Sequence, residues 1–418
     1  MPVIADEKQN LDSTKVIQHR VVALLGPAFV AAIAYVDPGN VAANITAGST
    51  YGYLLTWVLV AASAMAVLIQ YQSAKLGIVT GQSIPEYFGN TWSRRSRILY
   101  WLQAEIVAAA TDLAEVIGGA IALNLLFDLP LVWGGVIIGI ASLIFLFLKD
   151  KRGQKVFENM VIVFLTIIAI GFLSGLIVSP PAPHDVARGL IPTFRGQDSV
   201  LVAASMLGAT VMPHAIYLHS SLVGDRFGAS HSDSTITRLL HATKVDVVGA
   251  LALAGIVNIG LLLLAGSSLR GVEGTDTIAG AHTAVTHNFG AGIGLLFAIG
   301  LLASSLASTS IGAYAGSEIM RGLLKINIPL YIRRTITIIP AIIILGMGAE
   351  PTWALVISQV VLSFGIPMAI IPLTMLTRSE KVMGKWRDTT GIRIAMIVVS
   401  GLIVVLNLWL VVLTVQGS

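Results

Sequence analysis

Apolar runs of about 20 residues, the length a helix needs to cross a bilayer, recur eleven times along the chain. They lie near residues 22–48, 54–75, 98–127, 130–148, 157–178, 199–223, 246–268, 291–316, 329–348, 353–376 and 391–415. The pattern predicts an all-α integral membrane protein with eleven transmembrane helices. A further short helix on the outer surface is expected over Ile278–Phe289.

Two runs carry helix breakers and polar residues where the others stay apolar. The first contains Ala34-Tyr35-Val36-Asp37-Pro38-Gly39-Asn40. In a continuous helix the Ala34 carbonyl would accept the N–H of residue 38, and Pro38 has none. The sixth contains Gly208-Ala209-Thr210-Val211-Met212-Pro213-His214, where Pro213 frees the Ala209 carbonyl in the same way. Irregular backbone at membrane depth is tolerated only inside protein or along a water-filled cavity. Two broken segments in corresponding positions of two halves point to the binding site of a secondary transporter. They lie five spans apart, an odd step, so spans 6–10 must enter the membrane in the opposite sense to spans 1–5. The expected organisation is a cytoplasmic tail (1–20), a first repeat (21–178), an inverted second repeat (179–376), and a linker with an eleventh helix (377–418).

Composition supports the membrane reading: 55% of the 418 residues are hydrophobic and only 11% are charged, against about 25% charged in soluble domains. Of the 26 lysines and arginines, all but Arg188, Arg195 and Arg270 fall on one side of the predicted topology. The positive-inside rule then puts the N-terminus in the cytoplasm and the C-terminus outside. A net charge of +4 spread over loops is no footprint for nucleic acid. No cysteine is present, which removes thiolate metal sites. No signal peptide is evident, and nothing demands more than a monomer.

The breaks supply the candidate chemistry. Asp37 is a carboxylate in an apolar run, costly unless it serves a site. With Asn40 and the freed Ala34 carbonyl it offers oxygen ligands for a cation. Met212 adds a soft thioether beside the Ala209 carbonyl, a donor that suits later transition metals and has little to offer Mg²⁺ or Ca²⁺. Span 3 carries Glu105, Asp112 and Glu115 on one helical stripe, and buried carboxylates in transporters mark proton relays. His214, next to the second break, is a suitable proton acceptor at ordinary pH. Arg333 and Arg334 read as positive-inside anchors, His219 as structural, His282 and His287 as polar surface. Asp246 and Glu158 lie at span ends without an assigned role.

Asp37-Pro38-Gly39-Asn40 taken with Met212-Pro213-His214 resembles the Nramp family of proton-coupled divalent metal transporters. Tyr217-Leu218-His219-Ser220 and the stretch from Ala303-Ser304-Ser305 to Gly312-Ala313-Tyr314-Ala315-Gly316 agree with it; Ser317-Glu318 departs from it. The resemblance implies a LeuT-like fold with discontinuous helices 1 and 6. It implies metal ligation by Asp37, Asn40, Met212 and the Ala209 carbonyl, with Gln359 as a weaker candidate beside the Ala34 carbonyl that the proline spacing offers. It also implies a proton route through Asp37, Asp112 and Glu115, with Arg333 or Arg334 paired to a span 3 acid. The expected cargo is Mn²⁺ or Fe²⁺, also Co²⁺ or Cd²⁺, carried with protons across the cell membrane, with no resident cofactor. A sodium-coupled amino-acid carrier of the same architecture is the alternative. An enzyme is not expected, since no His-Glu-x-x-His occurs.

Overall fold

A computed structural model of the chain describes residues 26–228 and 231–416. The expected cytoplasmic tail and the start of the first span lie outside the described residues. The first apolar run is two short helices, α1 (Pro27–Ile33) and α2 (Pro38–Tyr51), joined by a 3-10 turn over Ala34–Val36. Then come α3 (Thr56–Thr80), a short α4 (Ile84–Thr91), α5 (Arg94–Phe127), α6 (Leu131–Arg152) and α7 (Gln154–Val178). A short α8 (Pro183–Arg188) leads to the second broken pair, α9 (Gly196–Thr210) and α10 (Pro213–Phe227). The remainder is α11 (Asp233–Ser268), α12 (Ile278–Phe289), α13 (Ala291–Leu324), α14 (Leu330–Gly346), α15 (Pro351–Thr377), α16 (Glu380–Met383) and α17 (Thr390–Gln416).

Among the described residues, eight segments are long and apolar enough to cross a membrane, the α9–α10 pair counted as one. Pro27–Val36 and Leu131–Phe147 are shorter apolar helices. The short helix expected over Ile278–Phe289 is present. α4, α8 and α16 were not evident in the hydrophobic pattern, because each is less than half a span long and lies in polar connecting sequence. Several helices also run beyond their apolar cores: α11 starts at Asp233, capped by the Ser232 hydroxyl, well before the apolar run at 246.

Both breaks end at the prolines, while the helix before the second one runs past Ala209 to Thr210. Pro38 and Pro213 are each the first residue of the second half-helix, where the missing N–H is no loss. The halves are packed in the middle of the bundle. α2 lies against α11 and α9, and α10 lies against α3, α13 and α15. Nearly every residue from Val30 to Ile45 and from Val202 to Val223 is buried. α17 stands at the periphery against α15 and α9.

The open end of α1 corrects one expectation. Asp246 is a cap rather than a bystander: its carboxylate accepts the N–H of Gly26 at 3.0 and 3.1 Å and of Ala28 at 3.0 Å. An anion at a helix N-terminus satisfies orphan donors and complements the dipole. Glu158, buried beside it, pairs with Arg226 of α10 and with Lys155. Asp246 thus ties α1 to α11, and Glu158 ties α7 to α10.

Candidate metal-ion site

Asp37 closes the first break in an extended conformation (φ −73°, ψ 168°), and its carboxylate caps α2 by accepting the Asn40 N–H at 2.8 Å. This diverts the donor that a continuous helix would have sent to the Val36 carbonyl. The Asn40 amide folds back over the same corner. Its Nδ2 donates to Asp37 Oδ1 at 2.8 Å and to the Ala209 carbonyl at 2.8 Å. One amide nitrogen therefore bridges the two breaks, 169 residues apart in sequence. Ala209 is the next-to-last residue of α9, and Met212 is the N-cap of α10; both are fully buried.

Gln359 of α15 joins this corner. A Cβ on Gly39 would fall 1.7 Å from Gln359 Nε2, and one on Gly208 would fall 2.1 Å from the Gln359 carbonyl. The two glycines let both broken helices close on one residue of α15. Asp37 Oδ2, Asn40 Oδ1 and Gln359 Oε1 are buried and have no hydrogen-bond partner in the structure. An uncompensated buried carboxylate oxygen costs on the order of several kcal/mol, and each of these open oxygens is a donor of the kind a divalent cation accepts. Ala34 opens the 3-10 turn and is buried.

The break is held by residues that sequence reasoning missed. Asn258 Nδ2 donates to the Tyr35 carbonyl at 2.5 Å, while Asn258 Oδ1 accepts from Asn44 at 2.9 Å. Ser304 Oγ donates to the Val36 carbonyl at 2.5 Å. The signal was faint: one amide in the apolar run of α11, and one serine among many small residues of α13. His219 accounts for another strut, its Nδ1 2.9 Å from Gln70 Oε1, while Gln70 Nε2 donates to the Tyr35 hydroxyl at 2.7 Å.

The acids of α5 face α13 and α14. Asp112 and Glu115 are buried, and Glu115 Oε2 has no hydrogen-bond partner. A Cβ on Gly312 of α13 would lie 2.8 Å from Glu115 and 3.3 Å from Asp112. Arg333 and Arg334 are not interfacial anchors, which corrects the reading favoured from residue patterns. Arg334 is wholly buried and pairs with Asp112 at 2.8 Å, its Nε donating to Ser142 at 2.9 Å. Arg333 pairs with Glu105 at 2.8 Å and lies over Gly316. Both arginines therefore meet span 3 acids, not one of them. The prolonged burial of charge was not evident because both arginines sit at the end of an apolar run. His214 lies in the first turn of α10 with Nδ1 3.4 Å from the hydroxyl of Thr111, the neighbour of Asp112, and its Nε2 has no partner. His287 is exposed as expected; His282 is half-buried beside Phe297, and burial of the ring holds its pKa below the usual imidazole value.

The family model described as "Natural resistance-associated macrophage protein-like" matches residues 28–413. A protein of Mycobacterium tuberculosis named divalent metal cation transporter MntH is 54% identical over 397 residues, covering 94% of this chain and 92% of the relative. One of Deinococcus radiodurans with the same name is 40% identical, covering 93% and 89%. Among solved structures, the manganese transporter of Eremococcus coleocola superposes with a TM-score of 0.85 at 31% identity, covering 93% of this chain and 86% of that one. MhsT, solved in complex with L-phenylalanine, superposes with a TM-score of 0.59 at 13% identity, a likeness of fold alone.

Proposed function

Because the chain belongs to the Nramp family, we propose that it is a secondary transporter importing divalent transition-metal ions, Mn²⁺ and Fe²⁺ with Co²⁺ and Cd²⁺ beside them, together with protons. It is a transporter and not an enzyme, as its relatives are named. The observation that carries the site is the bridge from Asp37 through the Asn40 amide to the Ala209 carbonyl. A primary amide can turn by half a revolution at little cost in shape, exchanging NH₂ for O. Turned so, Asn40 Oδ1 faces Asp37 Oδ1 and the Ala209 carbonyl, and the point where Nδ2 donated becomes a place for a cation among oxygens. Met212 supplies the soft ligand that favours later transition metals over Ca²⁺ and Mg²⁺. Gln359, and more weakly the Ala34 carbonyl, complete the set in some states of the cycle.

The proton route runs from Asp37 or His214 to Asp112 and Glu115, then along the Arg334 and Arg333–Glu105 pairs toward the basic side. The amino-acid carrier is the weaker reading. Such a carrier needs unwound backbone free to bind a substrate carboxylate, and here an anionic Asp37 occupies the break. We assign eleven crossings, two inverted repeats of five (21–178 and 179–376) with an added helix, the N-terminus cytoplasmic and the C-terminus outside the cell membrane. The chain acts as a monomer with no resident cofactor, and alternating access comes from one repeat unit moving against the other.

The test is Mn²⁺ uptake into proteoliposomes by Asp37→Ala. Uptake is expected to be abolished while the protein still inserts and runs as the native species. Uptake above the empty-vesicle baseline would overturn the ligand assignment.

A further inference from the structure

We propose that the groove between α3, α9 and α17 is a binding site for one phospholipid of the surrounding bilayer, with an acyl chain along the groove and the phosphate at Arg195. The groove has a volume of about 640 Å³, and every lining side chain is apolar. Trp57, Phe194 and Trp409 line one end, and Met65, Leu207 and Val399 the other. From Val399 to Trp409 a helix advances about 15 Å, half of the hydrocarbon core of about 30 Å. The groove therefore has the length of one leaflet. Which leaflet is meant rests on the topology proposed above, which makes it the outer one.

What keeps the groove open is polar and lies behind it. Asn407 Nδ2 donates to the Ser363 carbonyl at 2.7 Å, and the Ser363 hydroxyl donates to Asn407 Oδ1 at 2.8 Å, docking α17 on α15. The mouth is shaped by the loop after α8. The Trp57 N–H donates to the Gly189 carbonyl at 2.9 Å, and the Trp57 indole N–H donates to the Thr193 carbonyl at 3.2 Å. Trp57 meets Phe194 edge to face at 5.3 Å. This fixed loop presents Leu190, Ile191 and Phe194 to the outside, 48%, 59% and 47% exposed, between Arg188 and Arg195. Apolar side chains flanked by arginines, with two tryptophans at the same end, form an interfacial belt. Arg195 directly follows the phenylalanine at the mouth, on a side of the protein with only two other basic residues. Charge and apolar length thus point to one molecule, an anionic phosphate with a hydrocarbon chain. Its deep end reaches Leu207, two residues before the Ala209 carbonyl, so an occupied groove would brace the first half of the second broken helix.

Native mass spectrometry of the full chain, released from detergent containing phosphatidylglycerol, reads occupancy without reference to transport. The wild type is expected to retain one phospholipid. Ala203→Trp, which fills the groove, is expected to lose it, and Arg195→Gln to lower retention roughly five-fold. Where Ala203→Trp fails to fold, Val405→Trp at the exposed wall carries the same test. In lipid nanodiscs, brominated acyl chains are expected to quench Trp57 and Trp409 in the wild type above the level in Ala203→Trp or Val405→Trp. Equal retention in all folded variants would overturn the proposal. So would a dimer of the chain that the groove-filling variants dissociate, since a second copy would then be the occupant.

Discussion

At the scale of the residue, the candidate site is a question of which atoms lack partners. Asp37 uses one carboxylate oxygen on Asn40 and leaves the other bare, and the Asn40 and Gln359 carbonyl oxygens are bare too. Hard oxygen donors alone would serve Ca²⁺ or Mg²⁺ well. The thioether of Met212 is the one soft atom at the breaks, so selectivity should depend on it. Met212→Ala is expected to weaken Mn²⁺ and Cd²⁺ uptake and to let excess Ca²⁺ or Mg²⁺ compete. Competition by Ca²⁺ that is equal in the wild type and the variant would remove the selectivity role. The types of these residues were legible in the sequence because each is anomalous in an apolar run. The state of Arg333 and Arg334 was not, because a residue pattern shows where a charge lies in a span and not which acid on another helix meets it.

At the scale of the element, two prolines interrupt helices that the rest of the chain must repair. A buried carbonyl left without a donor costs about 1–3 kcal/mol, and the first break exposes several. Tyr35 is repaired by Asn258 and Val36 by Ser304. Asn258→Ala is therefore expected to lower stability in detergent by about 1–3 kcal/mol, read as a fall in thermal midpoint. Ser304→Ala should do the same, and the two should add only in part because both act on one turn. An unchanged midpoint in both would mean the turn is held by other contacts. The breaks were legible because proline acts on a partner four residues away. The repairs were not, because they arrive from more than 200 residues along the chain.

The Arg334–Asp112 pair separates support from transport at this same scale. Both side chains are buried, with exposures of 0% and 1%. Removing one partner of such a pair strands a charge and costs about 3–5 kcal/mol, whereas replacing both by apolar residues is often neutral. Arg334→Met alone is expected to destabilise the protein strongly. Adding Asp112→Leu should restore the thermal midpoint yet leave proton movement impaired. Recovery of both stability and acidification in the double variant would make the pair a scaffold and take Asp112 off the proton route.

At the scale of the whole molecule, the proposed proton-coupled transport requires the two breaks and the acid stripe to act as one device. The Asn40–Ala209 bond joins the halves, and Asp112 lies one residue from the Thr111 hydroxyl beside His214. The proposed metal site and the proposed proton route therefore meet where His214 of α10 lies against Thr111 of α5. An inside-negative potential favours entry of each charge by about 2.3 kcal/mol per 100 mV, so uptake alone cannot reveal whether the two are linked. Acidification can. In vesicles loaded with a pH dye, Mn²⁺ entry is expected to acidify the interior in the wild type. In Glu115→Gln, Mn²⁺ entry should continue with acidification reduced, because the variant leaves Asp37, Asn40 and Met212 in place while removing a proton acceptor. If acidification in the variant keeps its wild-type ratio to Mn²⁺ entry, Glu115 does not carry the proton. If both vanish in a folded variant, the acid stripe belongs to the site itself, and metal and proton share one path.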